Sequence, residues 1–75
     1  MNVELRHLRG FMAVAEAGAF RRAAERLRIS QPALSALIRD LEQQVGVSLF
    51  DRTTRRVEMT QAGREFMPQA EKLLA

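Results

Sequence analysis

The sequence predicts a mostly α domain: a three-helix core, a small two-stranded hairpin and a further C-terminal helix. Three observations predict it. Apolar residues recur at helical spacing in four stretches. Only Arg28, Ile29 and Ser30 separate the second stretch from the third, and helices joined so closely must cross sharply, as in a helix-turn-helix. Residues 47–59 then switch to a strand-like alternation around a basic tip.

The first helix is expected from about Glu4 to Ala17, with Leu5, Leu8, Met12 and Ala15 in one stripe widened by Phe11 and Val14. Gly18 follows as a C-terminal cap, and Gly10 permits a close helix crossing. The second runs from about Phe20 to Leu27. Phe20, Ala24 and Leu27 face inward, and Arg21, Arg22, Arg26 and Arg28 face out. No Ser, Thr, Asp or Asn precedes it as a cap.

The third helix is the most clearly signalled. Ser30 is a good N-cap, and Pro32 is tolerated in a first turn whose N–H groups have no helical partner. Leu34, Leu37, Ile38, Leu41 and Val45 hold one face, and Gly46 ends the helix. At 100° per residue, Gln31, Pro32, Ser35, Ala36 and Arg39 fall opposite. Beyond it, Val47, Leu49, Phe50, Val57 and Met59 predict a short hairpin. Thr60 caps a last helix with Ala62, Phe66, Ala70 and Leu73 on one side and Met67 and Leu74 beside them. Pro68 should kink that helix. With no stop signal before Ala75, the chain reads as cut within an element.

Composition narrows the function. The chain has 75 residues, enough for one small domain. Its 47% hydrophobic and 28% charged content is globular rather than disordered. There is no Cys and a single His, so neither a disulfide framework nor the usual zinc spacings can form, and no cofactor is expected. No apolar run reaches the ~20 residues of a membrane helix. Catalysis is hard to build: His7 has no partner that spacing brings near it and reads as a surface histidine. Asp40 and Glu42 read as solvated carboxylates. The net charge is +3, and Lys72 is the one Lys among twelve basic residues. Arg clusters at 21–28 and 52–56 flank the third helix. Arg favours bidentate contacts to phosphate.

Together, a capped helix, a three-residue turn, opposed faces and a basic hairpin point to nucleic acid. Gln31 can pair with adenine, Ser35 can serve any base, and Pro32 can pack on a thymine methyl. A tip with Arg52, Arg55 and Arg56 suits the backbone or the minor groove.

The chain also resembles the N-terminal DNA-binding domain of LysR-type transcriptional regulators over almost its whole length. The matching pieces are Leu8 to Ala17, Ala23 to Leu27, Ser30 to Ser35, Ile38, Leu41-Glu42, Gly46, Leu49 to Arg52, and Thr60 to Gly63. The resemblance implies a winged helix-turn-helix with the recognition helix over about 31–45. It implies residues 1–59 as the DNA-binding domain and residues 60–75 as the start of a linker and dimerisation helix, with an effector-binding domain absent from this chain. The expected base-edge contacts are Gln31, Pro32, Ser35 and Ala36. Backbone and wing contacts are expected at Arg21, Arg22, Ser30, Arg39, Arg52, Thr53, Arg55 and Arg56, and dimerisation at Phe66, Ala70, Leu73 and Leu74. Implied partners are a pseudo-palindromic duplex operator and a second copy of the chain, in a bacterial cytoplasm at the nucleoid. A small-molecule effector is implied for the missing domain alone.

Three positions depart from the family. It usually has Ser at position 19 and Thr or Ser at position 21, where this chain has Ala19 and Arg21. It often places a long polar side chain at position 36, where this chain has Ala36. The DNA-binding domain of molybdate-responsive regulators shares the helical pattern, but Leu49-Phe50-Asp51-Arg52 and Thr60 to Gly63 favour the LysR type. A winged-helix module that binds protein would want an apolar recognition face, and Gln31, Ser35 and Arg39 are polar.

Overall fold

The computed structural model describes residues 2–53 and 56–75. Four helices carry it: α1 (Leu5–Ala17), α2 (Phe20–Leu27), α3 (Gln31–Val45) and α4 (Gln61–Leu74). Strands β1 (Phe50–Asp51) and β2 (Glu58–Met59) pair antiparallel between α3 and α4, with Phe50 opposite Met59.

The caps lie where local chemistry puts them. Gly18 and Gly46 close α1 and α3 with φ of 71° and 79°, a left-handed conformation that costs glycine little. The Ser30 hydroxyl accepts from the Ala33 N–H at 3.1 Å. Thr60 works twice: its hydroxyl accepts from the Gly63 N–H at 3.0 Å and donates to the Ser48 carbonyl at 2.7 Å, joining α4 to the start of the wing. The α2 N-cap, Ala19, forms no side-chain bond. Helix α4 continues through Pro68 to Leu74.

Four phenylalanines organise the core. Phe11 of α1 stacks edge-on against Phe66 of α4 at 5.1 Å and lies tilted against Phe50 of β1 at 5.3 Å. Phe50 in turn meets Phe20 of α2 edge-on at 6.2 Å. Such pairs add about 0.5–1.5 kcal/mol each beyond the area they bury. Leu34, Ile38 and Leu41 bury the inner face of α3 around them. Gly10 lies against α3, where a Cβ would meet Leu37 Cδ2 at 2.9 Å. The expected close crossing is therefore at this glycine.

Three expectations need correction. The buried face of α1 is centred on His7, Leu8, Phe11 and Val14, and Leu5 is exposed. The helix touches α2, α3 and α4, so its inner face is set by three neighbours rather than by one stripe. His7 is not on the surface; it is 1% exposed. Its Nδ1 accepts from the Glu4 N–H at 2.9 Å, and its Nε2–H donates to Asp40 Oδ2 at 2.6 Å, bolting α1 to α3. The hairpin is shorter than the apolar pattern suggested, and Val47 is exposed. The N–H groups of Leu49 and Phe50 go to the Glu42 carboxylate at 2.7 and 3.3 Å.

Two predictions follow from this packing. Gly63 is buried, and a Cβ there would overlap the Leu49 carbonyl oxygen, which is backbone that also accepts from the Thr60 N–H at 3.0 Å. Gly63→Ala should therefore cost about 1–3 kcal/mol in denaturant unfolding, as overpacked sites do. A cost near zero would mean that the α4–wing contact is looser than described.

The second concerns acid. The bond from His7 holds the Asp40 carboxyl below its ordinary value, Arg6 does the same for Glu4, and Thr53 for Asp51. A carboxyl depressed by folding adds stability above its unfolded value, and that stability is lost as pH falls through the folded value. The melting temperature should therefore drop below about pH 4. Asp40→Asn should drop less steeply over the same range, and parallel curves would remove the His7–Asp40 pair as a source of acid lability.

Candidate nucleic-acid interface

Burial of Leu34, Ile38 and Leu41 fixes which side of α3 faces out. Gln31, Pro32, Ala36 and Arg39 are exposed, and Ser35 is half-buried at the flank nearest α2 and the wing. Ser30 is exposed at the cap, its hydroxyl oxygen committed to the Ala33 N–H. Arg21 and Arg22 are exposed on α2; Arg21 Nε lies 3.9 Å from the Glu25 carboxylate. Arg22 and Arg39 form no ion pair with a described residue. An open concavity of about 430 Å³ runs between the start of α2 and α3, with Arg21, Gln31, Ser35, Arg39, Arg52 and Val57 around it. The structure thus brings Arg21 of α2 together with Gln31, Ser35 and Arg39 of α3 at one surface.

The wing residues divide. Thr53 is exposed, but its hydroxyl and N–H both donate to Asp51 Oδ1, at 2.6 and 2.9 Å. Arg56 is exposed. Arg55 lies outside the described residues. Arg52 is not a free wing cation. Its guanidinium lies over the Phe20 ring at 4.6 Å, and its two terminal nitrogens reach Ser35 Oγ and Glu42 Oε1, both at 3.4 Å. Its side chain is 29% exposed and that of Glu42 16%.

Glu42 is therefore no solvated carboxylate, contrary to expectation. It accepts from two backbone N–H groups and pairs with Arg52. Sequence reasoning also missed Phe20 as a platform for Arg52 and His7–Asp40 as a strut. Their partners lie 7 to 33 residues away, beyond what helical periodicity reports. The LFxR piece that carried the resemblance was the one available signal for Arg52.

On α4, Phe66 is half-buried against Phe11 and Leu74 half-buried against the core. Ala70 is completely buried within its own protomer, leaving no side-chain surface for a second copy. Leu73 is 64% exposed.

Both ring nitrogens of His7 are bonded inside the fold. Among the described residues no three His, Cys, Asp or Glu side chains gather as a metal site, and no helix is long and apolar enough to cross a membrane.

Comparison with known proteins agrees with this geometry. The family model described as bacterial regulatory helix-turn-helix protein, lysR family, matches residues 5–64. The uncharacterized HTH-type transcriptional regulator YnfL of Escherichia coli K12 is 55% identical over 75 residues, covering 100% of this chain and 25% of that protein. The HTH-type transcriptional regulator TfdT of Cupriavidus pinatubonensis is 52% identical over 73 residues, covering 97% of this chain and 32% of that one. This chain thus spans a quarter to a third of those two regulators. Among solved structures, the BenM DNA-binding domain in complex with benA site 1 DNA superposes with a TM-score of 0.92 at 47% identity, over 96% of this chain and 81% of that one. Vibrio fischeri DarR in complex with DNA gives 0.96 at 40% identity, over 99% and 25%. With the winged helix-turn-helix and the family match in agreement, this chain belongs to the lysR family of bacterial regulatory helix-turn-helix proteins.

Proposed function

We propose that this domain reads duplex DNA for a bacterial transcriptional regulator of the LysR type, inserting the N-terminal half of α3 into the major groove. The observation that carries this reading is the exposed end of α3, with Gln31, Pro32, Ala36 and Arg39 facing out and Arg21 of α2 bordering the same concavity as Gln31 and Arg39. Gln31 and Ser35 read base edges, Pro32 offers apolar contact, and Ala36 adds little beyond fit. Arg21, Arg22, Arg39 and Arg56 neutralise phosphates, with Ser30, Thr53 and Arg55 along the same backbone path and the wing reaching backbone or minor groove. The DNA complexes of BenM and DarR support the assignment by analogy of fold and family. The work is recognition rather than catalysis, with no cofactor, and its place is the cytoplasm, at the nucleoid. Residues 1–59 form the reading domain, and α4 begins the link to an effector-binding domain that answers a small molecule.

If about four phosphates are neutralised per protomer, log K should fall with log salt at a slope near −3.6, from about −0.9 per phosphate. Gln31→Ala should cost about 1–3 kcal/mol on a site selected from random duplexes and far less on unselected DNA. Equal losses on both would move Gln31 to the backbone, and a slope near zero would sink the DNA reading.

Two copies pair through α4, which sets two recognition helices on a pseudo-palindromic site. Leu73 supplies the exposed apolar surface, flanked by the outer edges of Phe66 and Leu74. Leu73→Glu should weaken binding to a duplex with two half-sites and spare a single half-site. Sedimentation showing one wild-type protomer per two-site duplex would rule this pairing out.

A further inference from the structure

We propose that Arg52 is a positioning residue for base reading: it holds the Ser35 side chain in one rotamer and turns its hydroxyl outward as a hydrogen-bond donor. The inference rests on the DNA reading above and deepens it by saying what one contact on α3 can recognise.

The geometry around Arg52 leaves its guanidinium little freedom. Phe20 of α2 supports one face at 4.6 Å. Glu42 of α3 takes one terminal nitrogen at 3.4 Å, and that carboxylate is itself fixed by the Leu49 and Phe50 N–H groups. The other terminal nitrogen is thereby aimed at Ser35 Oγ, also 3.4 Å away. A hydroxyl has one proton and two lone pairs. With a cationic donor on one lone pair, its proton cannot point at the guanidinium, and polarisation by that donor strengthens the proton as a donor. No described residue accepts that proton, and Ser35 borders the open concavity beside Gln31 and Arg39. Ser35 therefore offers DNA a proton, suited to purine N7, guanine O6 or thymine O4. Arg52 spends its charge on Glu42 and its fork on Ser35, so the phosphate contacts fall to other cations.

Arg52→Lys is the informative variant, because it keeps the charge and loses the planar fork. Wild type, Arg52→Lys, Ser35→Ala and the double variant would each be used to select sites from random duplex DNA. Ser35→Ala is expected to weaken preference at one base-pair position by about three- to tenfold, the worth of one hydrogen bond. Arg52→Lys should weaken the same position by a similar factor, and the double variant should go no further. The salt slope of Arg52→Lys should match wild type. In the DNA-free protein, Hα–Hβ couplings should report one Ser35 χ1 rotamer in wild type and averaging in Arg52→Lys. Unchanged base preference in Arg52→Lys, shifts at two different positions, or an averaged Ser35 rotamer in wild type would each overturn the proposal. Failure of the wild type to bind any duplex at low salt would instead sink the DNA reading, and the couplings would still decide whether Arg52 fixes Ser35.

Discussion

The Glu42 carboxylate is the point on which the wing and the recognition helix depend together. It sits one turn before the end of α3 and accepts from the N–H groups of Leu49 and Phe50, which follow the Gly46 cap. Bonds from N–H groups to a charged, half-buried acceptor are worth roughly 1.5–3 kcal/mol each, more than neutral ones. They bend the chain back so that Leu49 and Phe50 enter the core, and Phe50 then joins Phe11 to Phe20. The same carboxylate takes Arg52. Without it two buried backbone donors would lack an acceptor and the guanidinium would lose its counter-charge. Among the described residues no buried side-chain polar atom is left without a partner.

Much of the fold is legible in the sequence because local rules decide it. The bounds of α3 follow from Ser30, Pro32 and Gly46, whereas the start of α2, with Ala19 at the cap, has no such local signal. The outward set Gln31, Pro32, Ala36 and Arg39 follows from the 3.6-residue period once the Leu34–Ile38–Leu41 face is known. What periodicity does not report is which polar side chain on a helix flank finds a partner from another element. Asp40 and Glu42 look alike in sequence, both acidic and both beside the apolar stripe. One binds a buried histidine 33 residues away and the other two backbone amides. Arg52 and Arg56 likewise look alike in a basic tip, yet Arg52 is drawn inward because Phe20 and Glu42 lie beneath it. The motifs shared with the LysR family located the wing and the recognition helix; they carried no account of why Arg52 is there.

The weakest element also displays part of the proposed DNA surface. Helix α2 has eight residues and no side-chain N-cap, too short to persist alone. It ends on Arg28 at φ 59°, a left-handed geometry costing a non-glycine residue about 1–2 kcal/mol. The three-residue turn needs that geometry, since the Arg28 and Ile29 N–H groups return to the carbonyls of Glu25 and Ala24 at 3.2 and 3.1 Å. Helix α2 is held by what packs against it: Ala23 and Ala24 in the core, and Phe20 between Phe50 and Arg52. The Arg21 and Arg22 pair is thus displayed on a helix whose order is supplied from outside.

That arrangement ties stability to reading in a domain of this size. A chain of 75 residues has a thin core, so some of its side chains serve folding and the proposed binding surface at once. Arg52 shows the overlap atom by atom: its face covers Phe20 and orders α2, one nitrogen balances Glu42 and fixes the wing, and the other meets Ser35 on the outward flank of α3. Truncation of Arg52 would therefore reach the helix that displays Arg21 and Arg22, the wing and α3 at once, whereas Arg52→Lys keeps a cation beside Glu42 and Phe20. Substitutions at Gln31 or Arg39, whose exposed side chains hold up no other element, reach the DNA surface alone. In the proposed reading, specificity is free to vary at the outer positions of α3, while the orientation of that helix is held by side chains that the fold itself needs.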